Sequence, residues 1–373
     1  MKIQHHLMIT MLLPLMLIPI IGRTKSTVPG LEGHRIFAFS DSSSTLKDRL
    51  AAAYQEALRS DGEEYFLTAH VITTSITACD GDHFTDHENP DVATIHRRGD
   101  RLLIHRIDRC QLKESTVTKE THERTVLLLH KRTDTSSTAV DVAWIHPDRT
   151  YHIDGPPLIW LGAATTSESL ADLATRFPKA PVRLRKHILG AMAVHDTAEA
   201  EDFLFRTTCH ESFSLEVRKS AVFWLGMRKT VSAVSLLKDI LKQAREGELQ
   251  KAVVFALYCN GGRQAVDELI RIARYDPAVT LRKQALFWIG QKASRECITA
   301  LQDVVLSDDD LSVRSSAVFA ISRLPKDRSV PMLIDIARNH GSSRLRKKAI
   351  FWLSQSGDDR ALAFFESILL QEE

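Results

Sequence analysis

The sequence lacks the motifs that identify most enzymes. It contains no Gly-rich phosphate loop, no nucleophile elbow and no zinc-protease motif. Its net charge is only +2, which by itself suggests no nucleic-acid partner. With 44% hydrophobic and 26% charged residues it also lacks the bias of a disordered chain. The composition is therefore that of a globular protein, and 373 residues are enough for two or three domains.

The N-terminal apolar run is short for a comfortable membrane span. Lys2 is followed by uncharged residues from Leu7 to Ile21, a pattern typical of a secretory signal. No A-x-A cleavage motif follows. Residues 1–29 are therefore predicted to be a signal peptide, or an N-terminal anchor formed by residues 7–22. Both interpretations place the chain outside the cytosol, periplasmic or secreted; a cytosolic protein with a mistaken start site is the third.

The C-terminal half contains a repeat with a fixed period. An aromatic position recurs every 32 residues without insertion, and one further step back leads to Ala191 in a degenerate copy. Such a period is typical of stacked-repeat proteins. Each unit carries two helical patterns joined by a short polar stretch, so residues 181–373 are predicted to form an α-solenoid of about six helical hairpins. The recurring aromatic residues are Phe223, Phe255, Phe287, Phe319 and Phe351.

Three sets of equivalent positions are predicted to form the solenoid core. The first is the recurring phenylalanine. The second comprises Leu225, Leu257, Ile289, Ile321 and Leu353. The third, on the second helices, comprises Leu237, Leu269, Leu301, Leu333 and Phe365. Cys297 is predicted to be a small core residue, because its repeat equivalents are alanines.

The repeat resembles a known family. Val217-Arg218, Ala221 and Leu225-Gly226, with equivalents in later units, look like the HEAT repeat, in particular its short bacterial phycobilisome-lyase-type branch. The resemblance implies a helical solenoid whose second helices line a concave surface where protein partners bind. It specifies no activity, because the repeat serves many functions.

One enzyme family built from this repeat, the deoxyhypusine hydroxylases, presents repeated His-Glu pairs that hold two iron ions. The predicted solenoid contains a single such pair, His210-Glu211. No metal or other cofactor is therefore expected there, and the chain is not predicted to be an enzyme. A bilin lyase shares the repeat, but no chromophore site is recognisable.

Basic residues recur within the repeat at positions that favour two different roles. The first-helix arginines are predicted to be structural, hydrogen-bonding carbonyls or carboxylates of the neighbouring hairpin; they are Arg218, Arg282, Arg314 and Arg346. The second helices carry mixed charge and exposed leucine, which suits a protein-binding surface better than a phosphate groove. The candidate partner-binding residues are Lys242, Arg271, Arg274 and Arg338.

Residues 30–155 are predicted to form a small α+β domain rich in antiparallel strands. An amphipathic helix spans Leu46 to Leu58, and Gly99-Asp100 indicates a hairpin turn. Residues 30–180 are acidic overall (17 Lys and Arg, 23 Asp and Glu), whereas residues 181–373 are basic (29 and 24). The two parts are either independent or docked by charge complementarity.

Residues 156–180 are predicted to be a linker and a helix that caps the solenoid. Asp154-Gly155-Pro156-Pro157 interrupts the preceding structure, and the residues 159–162 fall two periods before a clear repeat, so they are read as a decayed repeat. The capping helix is expected to span Ser167 to Phe177, with Thr166 or Ser167 as its N-cap.

Cys79 and Cys110 are the only cysteines of the N-terminal domain and form a candidate disulfide in an exported protein. Two separate buried thiols are the alternative. A loop rich in aspartate and histidine, residues 79–91, begins at Cys79. Its spacing fits no calcium loop, so it is interpreted as a solvated acidic loop and not as a metal site.

The sequence as a whole favours a non-catalytic interaction scaffold or adaptor outside the cytosol, with a protein partner. The alternative is an enzyme or sensor with its site in the N-terminal domain, the solenoid presenting the substrate or partner. A pocket of converging polar residues in that domain would favour the alternative.

Overall fold

The computed structural model describes residues 31–32, 36–38, 44–59, 63–74, 92–105, 122–133, 136–145 and 150–370. The predicted signal segment, Cys79, Cys110 and the loop 79–91 lie outside these residues. The described residues divide into two compact units: the first comprises those between 31 and 73 and between 92 and 176, and the second comprises residues 177–370 with Thr74.

The described part of the first unit contains two mixed β-sheets and two helices. The helices are α1 (Leu46–Arg59) and α2 (Thr166–Arg176). The five-stranded sheet has the order β2-β9-β3-β6-β7 and the four-stranded sheet the order β1-β8-β4-β5. The strands are β1 (Leu31–Glu32), β2 (Ile36–Ala38), β3 (Tyr65–Thr74), β4 (Val92–Arg97), β5 (Leu102–His105), β6 (His122–Arg132), β7 (Ser137–Ile145), β8 (Thr150–Asp154) and β9 (Leu158–Ala163).

Alternation along the strands separates two apolar clusters. Tyr65 and Leu67 of β3 pack with Tyr151 of β8, so residues from both sheets share one core. Phe66 points to the opposite face, where it packs with Leu50 of α1. The period of two residues in β3 thus places one sheet between a second sheet and a helix.

The α+β class is confirmed, but the strand pairing is more parallel than the prediction. The hairpins β4–β5 and β6–β7 are antiparallel. Gly99, in the predicted turn between β4 and β5, has a positive φ of 61°. The pairs β1–β8, β2–β9, β3–β9 and β4–β8 are parallel. Parallel partners are distant in sequence, and no local turn announces them.

The prediction of a decayed repeat at 159–162 is wrong, because these residues belong to β9. This strand lies between β2 and β3, and Leu158, Ile159 and Leu161 are buried. A short apolar run that is buried on both faces cannot be assigned to a strand or a helix from periodicity alone. The preceding Gly155 (φ 110°) and two prolines exclude a helix that starts earlier.

The predicted capping helix exists as α2, and it groups with the first unit. It begins one residue earlier than expected, with Thr165 and Glu168 forming a reciprocal capping box. Arg176 donates from Nη2 to Tyr54 Oη of α1 at 2.7 Å. These contacts lie within the first unit, and the capping of the solenoid stays a prediction.

The second unit is a solenoid of six helical hairpins in the described residues, as predicted. A short 3-10 turn, Phe177–Lys179, precedes them. The hairpins are α3 (Val182–Ala193) with α4 (Ala198–Cys209), α5 (Leu215–Met227) with α6 (Val231–Gln243), α7 (Gly247–Asn260) with α8 (Arg263–Tyr275), α9 (Val279–Gly290) with α10 (Arg295–Ser307), α11 (Leu311–Ser322) with α12 (Lys326–Asn339), and α13 (Ser343–Ser354) with α14 (Asp359–Leu369).

Two of the three predicted core sets are confirmed. The set that begins at Leu225 is buried throughout, and so is the second-helix set except at its last member, where Phe364 is buried in place of Phe365. Cys297 is fully buried, as predicted. The cores of the hairpins are therefore continuous along the stack.

The prediction that the recurring phenylalanines are core residues is wrong. Phe223, Phe255 and Phe319 are half-buried, and Phe287 and Phe351 are 39% and 53% exposed. Each phenylalanine precedes a buried residue by two positions, a turn of about 200° around a helix. The two cannot face the same side, so the phenylalanines lie on the outward face of the first helices.

Candidate functional site

Three of the four candidate cations line two adjacent grooves on the second-helix face. Groove A, of about 370 Å³, lies between α6 and α8 and is lined by Lys242 and Arg271. Groove B, of about 680 Å³, lies between α8 and α10 and is lined by Arg274. Asp276 and Pro277 line both grooves, so the candidates share one continuous surface.

Groove A is organised by one buried carboxylate. Glu268 accepts hydrogen bonds from Arg271 Nε at 2.9 Å and Nη2 at 2.7 Å. The Nζ of Lys238 on the preceding second helix lies 3.7 Å from Glu268 Oε2. Hydrogen bonding to Glu268 raises the pKa of Arg271, so its guanidinium is charged at any physiological pH. Lys242 is more exposed and pairs with Asp239 at 3.2 Å.

Groove B is held by two ion pairs, one between the second helices α8 and α10 and one between the first helix α9 and the end of α10. Arg274 pairs with Asp303 of α10. Arg282 pairs with Asp308 at 2.9 Å and donates to the carbonyl oxygen of Asp276 at 2.8 Å. These contacts fix the groove walls, because charge-assisted hydrogen bonds on both sides hold the separation of the helices.

Two large apolar side chains project beside this fixed frame. Tyr275 is 72% exposed at the end of α8, and Leu306 is 69% exposed near the end of α10. Both line groove B. An exposed tyrosine on a rigid support is the kind of anchor on which protein interfaces depend, and the exposed leucine adds apolar area beside it.

Arg338 lies further along the same face, on α12. It donates from Nη2 to Ser367 Oγ of α14 at 3.2 Å, and its guanidinium lies 5.3 Å from the centre of the Phe364 ring. Two repeat periods earlier, the equivalent residues Arg274 and Asp303 are also in contact. The repeat therefore uses the same hairpin-to-hairpin contact twice, and this contact fixes Arg338 as it fixes Arg274.

The first-helix arginines are structural, as predicted. Arg282, Arg314 and Arg346 each donate to the carbonyl of the residue six positions earlier. Arg218 donates from Nε to Thr208 O at 2.7 Å and from Nη1 to Glu246 at 2.6 Å. Each guanidinium thus ties a first helix to the loops beside it.

Potential metal-ligating side chains do not cluster within the described residues. No group of three or more His, Cys, Asp or Glu residues that could hold a metal ion occurs among them. His210 lies at the end of α4, where its Nδ1 is 2.8 Å from Ser212 Oγ. Within the part of the chain that the structure describes, no helix has the length and apolar character needed to cross a membrane.

A polar groove in the first unit was missed by the sequence reasoning. It has a volume of about 640 Å³ and is lined by Tyr65, His96, Arg97, Asp154 and Glu63, among others. The parallel pairing of β4 with β8 places His96 opposite Asp154. Tyr65 donates to Asp100 at 2.6 Å, a bond that raises the pKa of the phenol. Because distant parallel strands build the groove, no local motif could indicate it.

Comparison with known proteins identifies the repeat. The family model of HEAT repeats matches residues 266–350 and 305–373. The matched residues begin within α8 and extend to residue 373, and they are similar to HEAT repeats, as the sequence resemblance indicated.

The chain is also similar to solved structures. Human deoxyhypusine hydroxylase in complex with glycerol is 15% identical, with 54% of this chain and 77% of that chain covered and a TM-score of 0.24. The complex of CpcE and CpcF of phycocyanin lyase from Nostoc sp. PCC7120 is 18% identical, with coverage of 57% and 82% and a TM-score of 0.31. No curated protein sequence is significantly similar to the chain.

Proposed function

We propose that the chain is a non-catalytic scaffold that binds a protein partner on the second-helix face of its solenoid. The observation that carries this proposal is the pair of exposed anchors, Tyr275 and Leu306, beside a groove whose walls are fixed by ion pairs. Exposed apolar side chains on a preorganised surface cost little conformational entropy when they are buried by a partner.

The candidate cations serve this surface in two ways. Arg274 and Arg338 hold neighbouring hairpins together, whereas Lys242 is exposed and available to a partner at the edge of groove A. Arg271 is both paired with Glu268 and half-exposed. Charges at the edge of an interface act mainly on the association rate and on specificity, so we expect the binding of the partner to depend on salt concentration. Because the face carries charges of both signs, we do not expect a phosphate ligand there.

We further propose that the protein acts outside the cytosol. The support is the apolar run from Leu7 to Ile21 behind Lys2, which resembles a secretory signal. The relevant partner is then a periplasmic, secreted or envelope protein, and contact with a membrane is limited to an uncleaved N-terminal segment. Nucleic acid is not an expected ligand.

Site-directed photo-crosslinking in the native host tests the proposed surface. A photoreactive amino acid is placed at position 275 or 306, and at the control position 231, where Val231 is similarly exposed (67%) at the start of α6. One discrete protein adduct at 275 and 306, absent at 231, is the expected result. Equal adducts at all three positions, or none at 275 and 306, would contradict the proposal.

A second function is favoured by the polar groove of the first unit. Tyr65, His96, Arg97 and Asp154 line one groove, which is the feature that an enzyme or sensor site in this domain requires. A small-molecule panel followed by thermal shift tests it. A ligand that stabilises the wild type but not a His96→Ala variant would support a sensor or enzyme, and a ligand-independent melting temperature would argue against it.

A further inference from the structure

A continuous line of aromatic rings runs along the first helices on their outward face. We define the aromatic ladder as Phe255, Trp288, Phe287, Phe319, Trp352 and Phe351, taken in order of contact. Successive ring centres are 4.9, 4.8, 6.4, 5.1 and 4.9 Å apart. The ladder therefore joins four hairpins through ring-to-ring contacts.

The ladder is open to solvent at two of its members. Phe287 is 39% and Phe351 is 53% exposed, and Ile350 beside Phe351 is also exposed. The rings between them are half-buried. The exposed rings therefore leave apolar surface uncovered at every second hairpin, in α9 and α13.

Exposed basic residues follow the same face. Lys283 and Lys347 precede Phe287 and Phe351 by four positions, which places each lysine next to its phenylalanine on the helix surface. Both lysines are exposed, as is Arg344. The ladder helices α9, α11 and α13 contain no aspartate or glutamate, and Glu248 of α7 pairs with Lys251 of the same helix. In contrast, the second helices α6, α8, α10 and α12 all carry acidic residues.

We propose that the aromatic ladder binds an acidic, aromatic-containing segment of a protein partner. This inference rests on the proposed scaffold function and adds a second surface together with the chemistry of its partner. Glutamates or aspartates of the segment would pair with Lys283 and Lys347. Apolar side chains of the segment would pack on the exposed edges of Phe287 and Phe351, in edge-to-face contacts that add to area burial.

Charge complementarity favours a protein segment that combines acidic and apolar residues. A purely acidic chain would leave the ring edges uncovered, and a purely apolar chain would leave the lysines unpaired. A segment that alternates acidic and apolar residues can pair with the lysines and also pack on the phenylalanines, which follow the lysines by four positions on each helix. An anionic lipid surface is the competing occupant, and the experiment includes it as a separate arm.

The test uses a fluorescent 15-residue peptide in which glutamate alternates with phenylalanine and leucine, added to the full-length protein. Two control peptides replace every glutamate by glutamine, or every apolar residue by serine. Phosphatidylglycerol vesicles form the lipid arm. The variants are Lys283→Glu/Lys347→Glu and Phe287→Ser/Phe351→Ser, with Arg263→Glu as an exposed charge reversal at the start of the second helix α8.

The expected result is binding of the acidic aromatic peptide alone, weakened about tenfold or more by either ladder variant and unchanged by Arg263→Glu. Circular dichroism of each variant checks that the fold is kept. Equal binding by wild type and ladder variants, binding of vesicles in place of the peptide, or no binding overturns the inference. Photo-crosslinking at positions 275 and 306 is independent of these results, so the two proposals fail separately.

Discussion

Arg282 and Asp308 form a two-point ion pair inside the solenoid, with Nε–Oδ2 and Nη2–Oδ1 distances of 2.9 and 3.2 Å. Their side chains are 13% and 5% exposed. Because Asp308 also accepts a hydrogen bond from Arg314 at its carbonyl oxygen, one residue joins the fourth hairpin to the fifth. The fixed grooves of the second-helix face depend on contacts of this kind.

We expect Arg282→Ala to destabilise the solenoid by about 3 kcal/mol, because it leaves a buried carboxylate without its partner. Urea denaturation measures the change. Lys283→Ala at the next, exposed position is the control and should change stability by less than about 0.5 kcal/mol. Equal effects of the two substitutions would show that the ion pair does not stabilise the solenoid.

A second buried pair joins the first two hairpins. Arg228 Nε lies 3.0 Å from Glu201, and its Nη1 donates to the carbonyls of Ala193 and His195 at 3.0 and 2.6 Å. Burial raises the pKa of Glu201, but hydrogen bonds from Ser232, Thr230 and Arg228 outweigh it and lower the pKa overall.

Arg228→Met should therefore cost about 3–5 kcal/mol, because Glu201 loses its counter-charge and the carbonyls of Ala193, His195 and Thr197 lose a donor. The double variant Arg228→Met/Glu201→Gln should recover part of this loss. If the double variant is no more stable than the single one in urea denaturation, the uncompensated charge is not the cause.

His195 predicts a loss of stability in mild acid. Burial lowers its pKa to about 4, with the nearby Arg228 contributing, although its Nδ1 donates to Ala191 O at 2.8 Å. In the unfolded chain the His195 imidazole has its ordinary pKa of about 6.5. Its contribution is therefore complete above pH 6.5 and falls as the pH drops toward 4, by about 1.4 kcal/mol per pH unit.

Unfolding free energies of wild type and His195→Asn at pH 7.5, 5.5 and 4.5 check this prediction. The asparagine amide can keep the hydrogen bond to the Ala191 carbonyl and cannot titrate. The difference between the two proteins should shrink or reverse as the pH falls. A constant difference across the three pH values would contradict the pKa of about 4.

Close approach of first helices predicts that Gly226 is required. A Cβ at this position would lie 2.6 Å from the carbonyl oxygen of Ala256. Gly226→Ala should cost at least about 1–3 kcal/mol through overpacking. Gly341→Ala is the matched control, since nothing lies within 4 Å of its Cβ position. Similar denaturation midpoints for the two variants would show that the helices can separate freely.

The sequence was most informative where structure is local and periodic. The 32-residue period predicted the six hairpins, and the turn at Gly99 predicted the β4–β5 pair. The recurring phenylalanines were misplaced because repetition alone does not distinguish a core column from a surface column. The helical angle between Phe223 and Leu225 would have separated them.

Other features depend on contacts between distant residues. Strand β9 is a short apolar segment whose class is set by its neighbours β2 and β3. The polar groove at His96 and Asp154 requires a parallel pairing across more than fifty residues, which no motif announces. On the second-helix face, the sequence indicated where the cations recur, but it could not indicate that Asp303 and Glu268 pair with Arg274 and Arg271.

The most direct measurement of the scaffold hypothesis is partner capture by the purified protein from envelope extract, comparing wild type with Tyr275→Ser/Leu306→Ser. Both side chains are largely exposed, so the variant should keep the wild-type melting temperature. The account predicts a specific protein that wild type retains and the variant loses by at least about tenfold. Equal retention by a folded variant would contradict binding at the second-helix face.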